Sequence, residues 1–228
     1  MKVKRELLMT KKKVITAVSV TVAAAVLVTA VFFGVRGMKI RKFRSADIIL
    51  PDNFTVTAHT GCADTEENSL DSILKGVEDG AEIVEFDLYF TENGDPVLAH
   101  DEPVGNEVTL DEAFEYISEF EDIRVNVDVK TCDFLEKVYP TAKKYGIEKR
   151  IFYTGIGEED VETVKKDSPE VMYYLNVDVD KSKNTDEKYL LSLVETVKNA
   201  GAVGINFNYK GLSSDLVSHF RASNLLVS

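Results

Sequence analysis

The feature that most constrains this chain is a regular alternation of two sequence patterns after residue 50. Short runs rich in β-branched and aromatic residues predict six strands, at Phe54–Ala58, Ile83–Phe90, Ile123–Val129, Arg150–Tyr153, Val171–Val177 and Val203–Phe207. Apolar residues spaced three and four apart predict the helices between them, at Ser69–Glu78, Leu110–Ser118, Phe134–Tyr145, Glu159–Lys166, Glu187–Ala200 and Ser213–Ala222. Strands that alternate with helices favour a parallel sheet with right-handed crossovers.

Six such units in succession predict an α/β fold of the TIM-type (β/α) barrel class. A doubly wound dinucleotide-binding sheet is disfavoured, because Gly61 stands alone after the first strand and no glycine-rich phosphate loop follows. Leu225–Val227 reads as the start of a seventh strand, and the sequence stops at Ser228. We therefore expect a barrel truncated in strand seven, which is a fragment, a truncated gene product or a chain completed by a partner.

An uncharged segment precedes this domain. Val14 to Val35 holds 22 residues without a charge, about 33 Å of helix and enough to cross a bilayer. We predict a basic cytoplasmic N-terminus at 1–13, a transmembrane helix at 14–36, a juxtamembrane linker at 37–52 and the barrel domain at 53–228. A cleaved signal peptide is the alternative, but the run exceeds an ordinary signal core and no clear cleavage site follows.

Charge divides the chain near residue 44. Residues 1–44 carry 11 Lys and Arg and one acid, a net +10, so the rest of this −12 chain carries −22. Basic residues flank the apolar segment almost equally, so its position near the N-terminus sets the expected orientation, with the domain outside the cell membrane. An acidic domain repels nucleic acid, which excludes a nucleic-acid partner. A site that handles phosphate here needs a local cation.

Acidic residues with period-two spacing mark the candidate site. Glu85 and Asp87 point to one side of the second predicted strand, while Phe86 points away. Asp128 and Lys130 repeat this spacing on the third strand. Oxygen ligands of this kind suit Mg²⁺ or Ca²⁺, and a lysine can hold a phosphate oxygen. The alternatives are an exposed edge strand with outward charges and a simple Asp–Lys ion pair.

Two of the three histidines lie at strand ends near these acids. His59 follows the first predicted strand, and His100 follows a short apolar run, Pro96–Ala99. Two imidazoles on opposite sides of a phosphodiester permit base and acid roles, with one deprotonating the nucleophile and the other protonating the leaving alkoxide. The third histidine, His219, falls in a helical pattern and is expected at the surface.

These motifs, in their order along the chain, resemble the signature of the glycerophosphodiester phosphodiesterase family. The motifs are Ala58-His59-Thr60-Gly61, Glu66-Glu67-Asn68-Ser69, Val84-Glu85-Phe86-Asp87-Leu88, Asn93-Gly94-Asp95-Pro96-Val97, His100-Asp101 and Asp128-Val129-Lys130. The resemblance covers roughly residues 54 to 228. It implies a TIM barrel and hydrolysis of glycerophosphodiesters to glycerol 3-phosphate and an alcohol, with Ca²⁺ or Mg²⁺ as cofactor.

The resemblance also implies roles for individual residues. His59 and His100 match the acid/base pair. Glu85, Asp87 and Asp128 match metal ligands, although the family has a longer Glu where Asp128 stands. Lys130 matches a position that binds the substrate phosphate.

Two further positions are expected to contact the substrate. Glu67 matches an acid beside the site. Thr60 stands where the family usually has Arg, and a hydroxyl cannot replace the two hydrogen bonds and the charge of a guanidinium.

Three functions follow from these features. The first is a membrane-anchored phosphodiesterase acting on small glycerophosphodiesters or polyglycerol-phosphate polymers. The second is a catalytically weak relative that binds phosphodiester-containing surface polymers. The third is a phospholipase D-like enzyme acting on intact lipids, which the strongly acidic domain disfavours because it repels anionic membranes.

Overall fold

The computed structural model describes residues 26–38 and 54–228, which fall into two units dividing between Phe54 and Thr55. In the first unit, residues 26–38 form helix α1, and its apolar side chains are exposed. Of the helices in the described ranges, none combines the length and the apolar character that a membrane crossing needs. Residues 14–25 of the predicted span lie outside the described residues, as do the basic segment 1–13 and residues 39–52 of the linker.

The second unit, Thr55–Ser228, alternates strands and helices as predicted. The strands are β1 Thr57–Ala58, β2 Ile83–Phe90, β3 Pro96–Leu98, β4 Arg124–Val129, β5 Ile151–Ile156, β6 Tyr173–Asn176, β7 Gly204–Asn206 and β8 Leu226–Val227. The helices are α2 Leu70–Glu78, α3 Leu110–Ser118, α4 Val138–Lys144, α5 Val161–Asp167, α6 Glu187–Ala200 and α7 Ser214–Ala222. Short 3₁₀ turns precede several of the helices.

The strands form one sheet in the order β1-β2-β4-β5-β6-β7-β8, and every neighbouring pair in this path is parallel. β3 is the exception, because it turns back from β2 and pairs with it antiparallel. Sequential parallel strands joined by helices confirm the α/β class and are the arrangement of TIM-type barrels. Among the described strands, β1 and β8 lie at the two ends of the sheet, and β8 is the predicted seventh parallel strand.

The element boundaries differ from prediction where the sequence interrupts its own pattern. The helix predicted from Phe134 begins as a 3₁₀ turn at Leu135–Lys137, because Phe134 adopts a left-handed backbone with φ 58°. β5 continues past the predicted Tyr153 to Ile156. The apolar pattern did not predict this extension, because it is interrupted by the polar Thr154 and by Gly155, whose φ is +81°.

The alternation of side chains along each strand separates a helix-packed face from a polar one. On β4, the side chains of Val125, Val127 and Val129 are buried in the hydrophobic core. Asn126 and Asp128 point to the opposite face and are half-buried. The polar side chains near the carboxyl ends of neighbouring strands therefore meet on one face.

Candidate active site

Three carboxylates meet where β2 and β4 approach their carboxyl ends. The strand register places Asp87 beside Asp128 and Glu85 beside Asn126. One oxygen from each of Glu85, Asp87 and Asp128 lies within 4.8 Å of the other two. Glu85 and Asp87 are only 6% and 3% exposed. Three acids this close, two of them buried, repel one another unless a cation lies among them.

Lys130 supplies one positive charge to this carboxylate triad. Its Nζ lies 2.8 Å from Asp87 Oδ1 and 2.5 Å from Asp128 Oδ2, so one ammonium bridges two of the three acids. Burial lowers the pKa of Lys130, but its hydrogen bonds to Asp128 and Asp87 outweigh that effect and raise the pKa above its ordinary value. The lysine is therefore the local cation that the acidic domain was expected to need.

Glu85 is held by the loop that follows β1. The backbone N–H of Thr60 donates to Glu85 Oε2 at 2.8 Å. Burial raises the pKa of Glu85 to about 6, against the opposing effects of this hydrogen bond and of His59. The Glu85 carboxyl group therefore gains or loses its proton close to neutral pH, and its charge depends on neighbouring charges such as His59 and Asp87.

Asp87 is held by Asn68, which lies in the Glu66–Ser69 motif but was not among the predicted site residues. The Asn68 Nδ2 donates to Asp87 Oδ2 at 2.9 Å, and the Asp87 backbone N–H donates to Asn68 Oδ1 at 2.9 Å. Asn68 adopts a left-handed φ of 56°, which asparagine tolerates better than most residues. This double hydrogen bond fixes the Asp87 side chain relative to its own strand.

Asp128 has a partner on the next strand that sequence reasoning missed. Thr154 is its register partner on β5 and is 2% exposed. The Thr154 hydroxyl donates to Asp128 Oδ1 at 2.7 Å and lies 2.8 Å from Asn126 Oδ1. The only sequence signal was a polar residue inside a strand of otherwise apolar character. Thr154 orients the carboxylate that is one methylene shorter than the family's Glu.

His59 lies directly after β1 and next to Glu85. Its Nε2 is 3.9 Å from Glu85 Oε2, and its Nδ1 is 2.8 Å from the Thr60 carbonyl oxygen. Because a carbonyl only accepts, Nδ1 carries a proton and Nε2 is the nitrogen that exchanges one. Burial lowers the pKa of the His59 imidazole. The hydrogen bond to the Thr60 carbonyl and the nearby carboxylates together raise this pKa by more, so it lies above its ordinary value.

His100 reaches the same region by way of β3. The backbone N–H of Ala99 donates to the Asp87 carbonyl oxygen at 3.1 Å, which brings the following residue, His100, alongside β2. The His100 side chain is 62% exposed, and its Nδ1 lies 3.2 Å from Asp101 Oδ1. Both histidines thus follow strands that pair with β2, the strand carrying Glu85 and Asp87.

Of the two remaining predicted site residues, Thr60 is buried and Glu67 is exposed. Thr60 is 5% exposed, and its hydroxyl accepts a hydrogen bond from the Asn68 backbone N–H, so it braces the loop around the carboxylates. Glu67 is exposed, and the stem of its side chain lies against Gly61, where an added Cβ would come within 2.8 Å of Glu67 Cγ. Their contact with substrate stays a prediction.

The carboxylate triad has the chemistry of a divalent-cation site. All of its donors are oxygens, which suits Mg²⁺ or Ca²⁺ better than the nitrogen and sulfur sets of structural zinc. A separate cavity of about 550 Å³ lies between the β2–β3 turn and the 102–105 loop, but none of its lining residues belongs to the triad. Since the titratable groups converge at the triad, we locate the site there.

Residues 52–134 match the model of the glycerophosphoryl diester phosphodiesterase family. This range contains every site residue predicted from the sequence. The match agrees with the resemblance drawn from the motifs over this part of the chain. No curated protein matches the sequence of the chain.

Solved structures of glycerophosphodiester phosphodiesterases share the fold. One from Parabacteroides distasonis is 19% identical, with a TM-score of 0.61 over 78% of this chain and 84% of its own. One from Agrobacterium tumefaciens is 16% identical, with a TM-score of 0.60 over 76% and 85%. An Oleispira antarctica phosphodiesterase, solved with the product sn-glycerol-3-phosphate, is 19% identical, with a TM-score of 0.59 over 76% and 83%. At these identities the structures establish the fold.

Proposed function

We propose that the chain hydrolyses glycerophosphodiesters to glycerol 3-phosphate and an alcohol with the aid of a divalent cation, since residues 52–134 match the model of the glycerophosphoryl diester phosphodiesterase family. The observation that carries the proposal is the convergence of Glu85, Asp87 and Asp128, with oxygens within 4.8 Å of one another, next to the Lys130 ammonium. The product bound to the Oleispira antarctica phosphodiesterase, sn-glycerol-3-phosphate, is consistent with this substrate class.

The same three carboxylates would hold the cation, which we infer to be Ca²⁺ or Mg²⁺. A bound divalent ion supplies positive charge that stabilises the phosphoryl oxygens as negative charge builds on them. Asn68 and Thr154 keep two of the carboxylates in a fixed orientation through the hydrogen bonds described above. Hydrogen-bonded ligands need little rearrangement when a cation binds.

We assign the proton transfers to the two histidines. A water molecule gives a proton to one imidazole as its oxygen bonds to phosphorus, and the bond from phosphorus to the leaving alkoxide breaks. The alkoxide takes a proton from the other imidazole. We assign the acid role to His59, whose Nε2 lies 3.9 Å from Glu85 Oε2. His100 then takes the proton of the attacking water.

Lys130 is the residue we expect to bind the substrate phosphate. Its ammonium already lies between Asp87 and Asp128, so a phosphoryl oxygen that approaches the triad meets this charge. The chain has Thr60 in place of the family's Arg, and the Thr60 side chain is buried. We therefore expect Lys130 to carry more of the phosphate affinity here than a lysine that shares the phosphate with an arginine.

The test uses the full chain with glycerophosphocholine and glycerophosphoglycerol as substrates, with Ca²⁺, Mg²⁺ or chelator. We expect release of glycerol 3-phosphate that requires the cation and falls by at least about 100-fold in His59→Ala, since general acid–base catalysis is worth about 10²–10⁴-fold. His219→Ala is the matched control, because His219 lies on α7 with its ring against the Asp215 carbonyl. Full activity of His59→Ala would overturn the assignment.

The same experiment distinguishes the two alternatives. Cation binding without turnover of any glycerophosphodiester would favour a weak relative that binds phosphodiester polymers. Release of headgroups from intact phospholipid vesicles, with little turnover of the deacylated diesters, would favour a phospholipase D-like enzyme.

We further propose that residues 14–36 anchor the domain to the cell membrane in a single pass, with the domain outside. The support is the uncharged sequence from Val14 to Val35 and the exposed apolar side chains of residues 26–38. Extraction of membranes with alkaline carbonate should leave the full chain in the pellet, and protease added outside intact cells should degrade the domain. Release by carbonate would contradict the anchor.

A further inference from the structure

Two asparagine side chains lie side by side where β6 and β7 end. Asn176 and Asn206 are register partners across this parallel pair. The Asn206 Nδ2 donates to Asn176 Oδ1 at 3.0 Å, and the backbone N–H of Gly155 donates to the same oxygen at 3.1 Å. Neither asparagine belongs to the carboxylate triad or to the proton-transfer groups, so the proposed hydrolysis does not explain why they are paired.

The pair lies on the same face of the sheet as the triad. The rings of Phe152 on β5 and Tyr174 on β6 pack with centroids 5.5 Å apart. Because side chains alternate along a strand, Thr154 and Asn176, each two residues further, share the face of these rings. The Thr154 hydroxyl contacts Asp128. Only β5 separates the strands of Asp128 and Asn176, so these two strands lie about 10 Å apart at the usual strand spacing.

The hydrogen bonds fix which way both amides face. A backbone N–H can only donate, so the Asn176 oxygen must face Gly155. Because that oxygen also accepts from Asn206, the Asn206 side chain must direct its nitrogen inward. The Asn176 nitrogen and the Asn206 oxygen are therefore left over, and within the described residues neither has a protein partner. Asn176 is exposed and Asn206 is half-buried, so both atoms are open to a ligand.

An amide N–H₂ beside an amide oxygen forms a donor–acceptor pair. Its complement is a group that both accepts and donates at close range, which describes an alcohol hydroxyl or two adjacent hydroxyls. A quaternary ammonium headgroup such as choline offers neither a donor nor an acceptor. It would cover the two amide groups without hydrogen-bonding to them, and leaving buried polar groups unpaired is costly.

We propose that Asn176 and Asn206 form a hydroxyl-binding subsite for the leaving alcohol of the phosphodiester, the arm that differs between one glycerophosphodiester and another. This inference rests on the proposed function, because the triad must hold the phosphate for the arm to reach β6. It makes the chain selective for diesters whose alcohol is a polyol, such as glycerol, over diesters of choline. The triad sets where the phosphate lies, and the asparagine pair selects the alcohol attached to it.

The test compares kcat/KM for glycerophosphoglycerol with that for glycerophosphocholine, in the full chain with its cation. For the native chain we expect a ratio of about ten or more in favour of the polyol, because a site built to hydrogen-bond a hydroxyl discriminates strongly against an analogue that lacks one. Asn206→Leu should bring the ratio close to one, mainly by slowing the polyol substrate. This variant keeps the bond between Asn176 and Gly155, so β6 retains its contact with β5.

Asn199→Leu is the matched control, since Asn199 is an exposed residue of α6 that the site does not use, and its ratio should stay at the native value. Equal turnover of both substrates by the native chain, or an unchanged ratio in Asn206→Leu, would overturn the subsite while the hydrolase function stands. If no diester is hydrolysed, the proposed function fails. Calorimetric binding of the same two diesters to the native chain and to Asn206→Leu then decides the subsite alone, and equal affinities would reject it.

Discussion

Lys130→Met tests whether one ammonium offsets the repulsion inside the carboxylate triad. The Lys130 Nζ lies 2.8 Å from Asp87 Oδ1 and 2.5 Å from Asp128 Oδ2. Removing one partner of a buried ion pair costs about 3–5 kcal/mol. The Lys130 side chain is 21% exposed and methionine keeps its apolar stem in place, so we expect a smaller loss, about 2 kcal/mol in the free energy of unfolding. At an m-value of about 2 kcal/mol per molar urea, the midpoint falls by about 1 M.

The assay is urea unfolding of the full chain, first in chelator and then in excess Ca²⁺ or Mg²⁺. A divalent cation that binds only the folded state at 100 times its Kd stabilises by about 2.7 kcal/mol, so it should restore most of the loss in Lys130→Met. Its stabilising effect should be smaller in the native protein, where the cation must first displace the ammonium.

Lys165→Met is the matched control for this prediction. Lys165 pairs with Glu162 at 3.4 Å on an exposed surface, and such pairs contribute at most about 1 kcal/mol. The reasoning would be refuted if Lys130→Met unfolded at the native midpoint in chelator. It would also be refuted if added cation left a destabilised Lys130→Met unchanged.

Three further predictions address the same region. Burial raises the pKa of Glu85 to about 6, so below that pH a cation must displace a proton from the carboxyl group in order to bind. The affinity for Ca²⁺, measured by calorimetry, should therefore rise from pH 5 to pH 7 and then level off. An affinity that does not change with pH would contradict the raised pKa. Thr154→Val removes the hydroxyl that orients Asp128 and should weaken cation binding by about tenfold with little change in thermal stability, since partners of metal ligands are typically worth 10–100-fold. Gly155→Ala should destabilise by about 3 kcal/mol or more, because its Cβ would lie 2.2 Å from a carbonyl oxygen of β4 at φ +81°. Gly146→Ala, at φ +71° with no atom within 4 Å, should lose only about 1–2 kcal/mol in the same denaturation assay, and equal losses would mean that backbone strain alone explains both.

The carboxylate triad was predictable in part because the spacing of its acids along each strand is a local feature of the sequence. Period-two spacing put Glu85 and Asp87 on one face of β2, and the predicted parallel sheet brought Asp128 to the same edge. The groups that orient these acids were not predictable. Asn68 lies 19 residues before Asp87 in the sequence and Thr154 lies 26 residues after Asp128, and no local pattern encodes such contacts.

Hydrophobic periodicity and residue chemistry can be followed along the chain, so the order of strands and helices, the α/β class and the candidate acids and imidazoles were predictable from the sequence. How those residues act depends on the folded sheet. Strand register placed Lys130 between two carboxylates, burial raised the pKa of Glu85, and the hydrogen bond from Gly155 oriented the amides of Asn176 and Asn206. Each of these depends on distances between strands that only the folded sheet sets, since a charge or a hydrogen bond is felt over a few ångströms of space, whatever the separation in sequence.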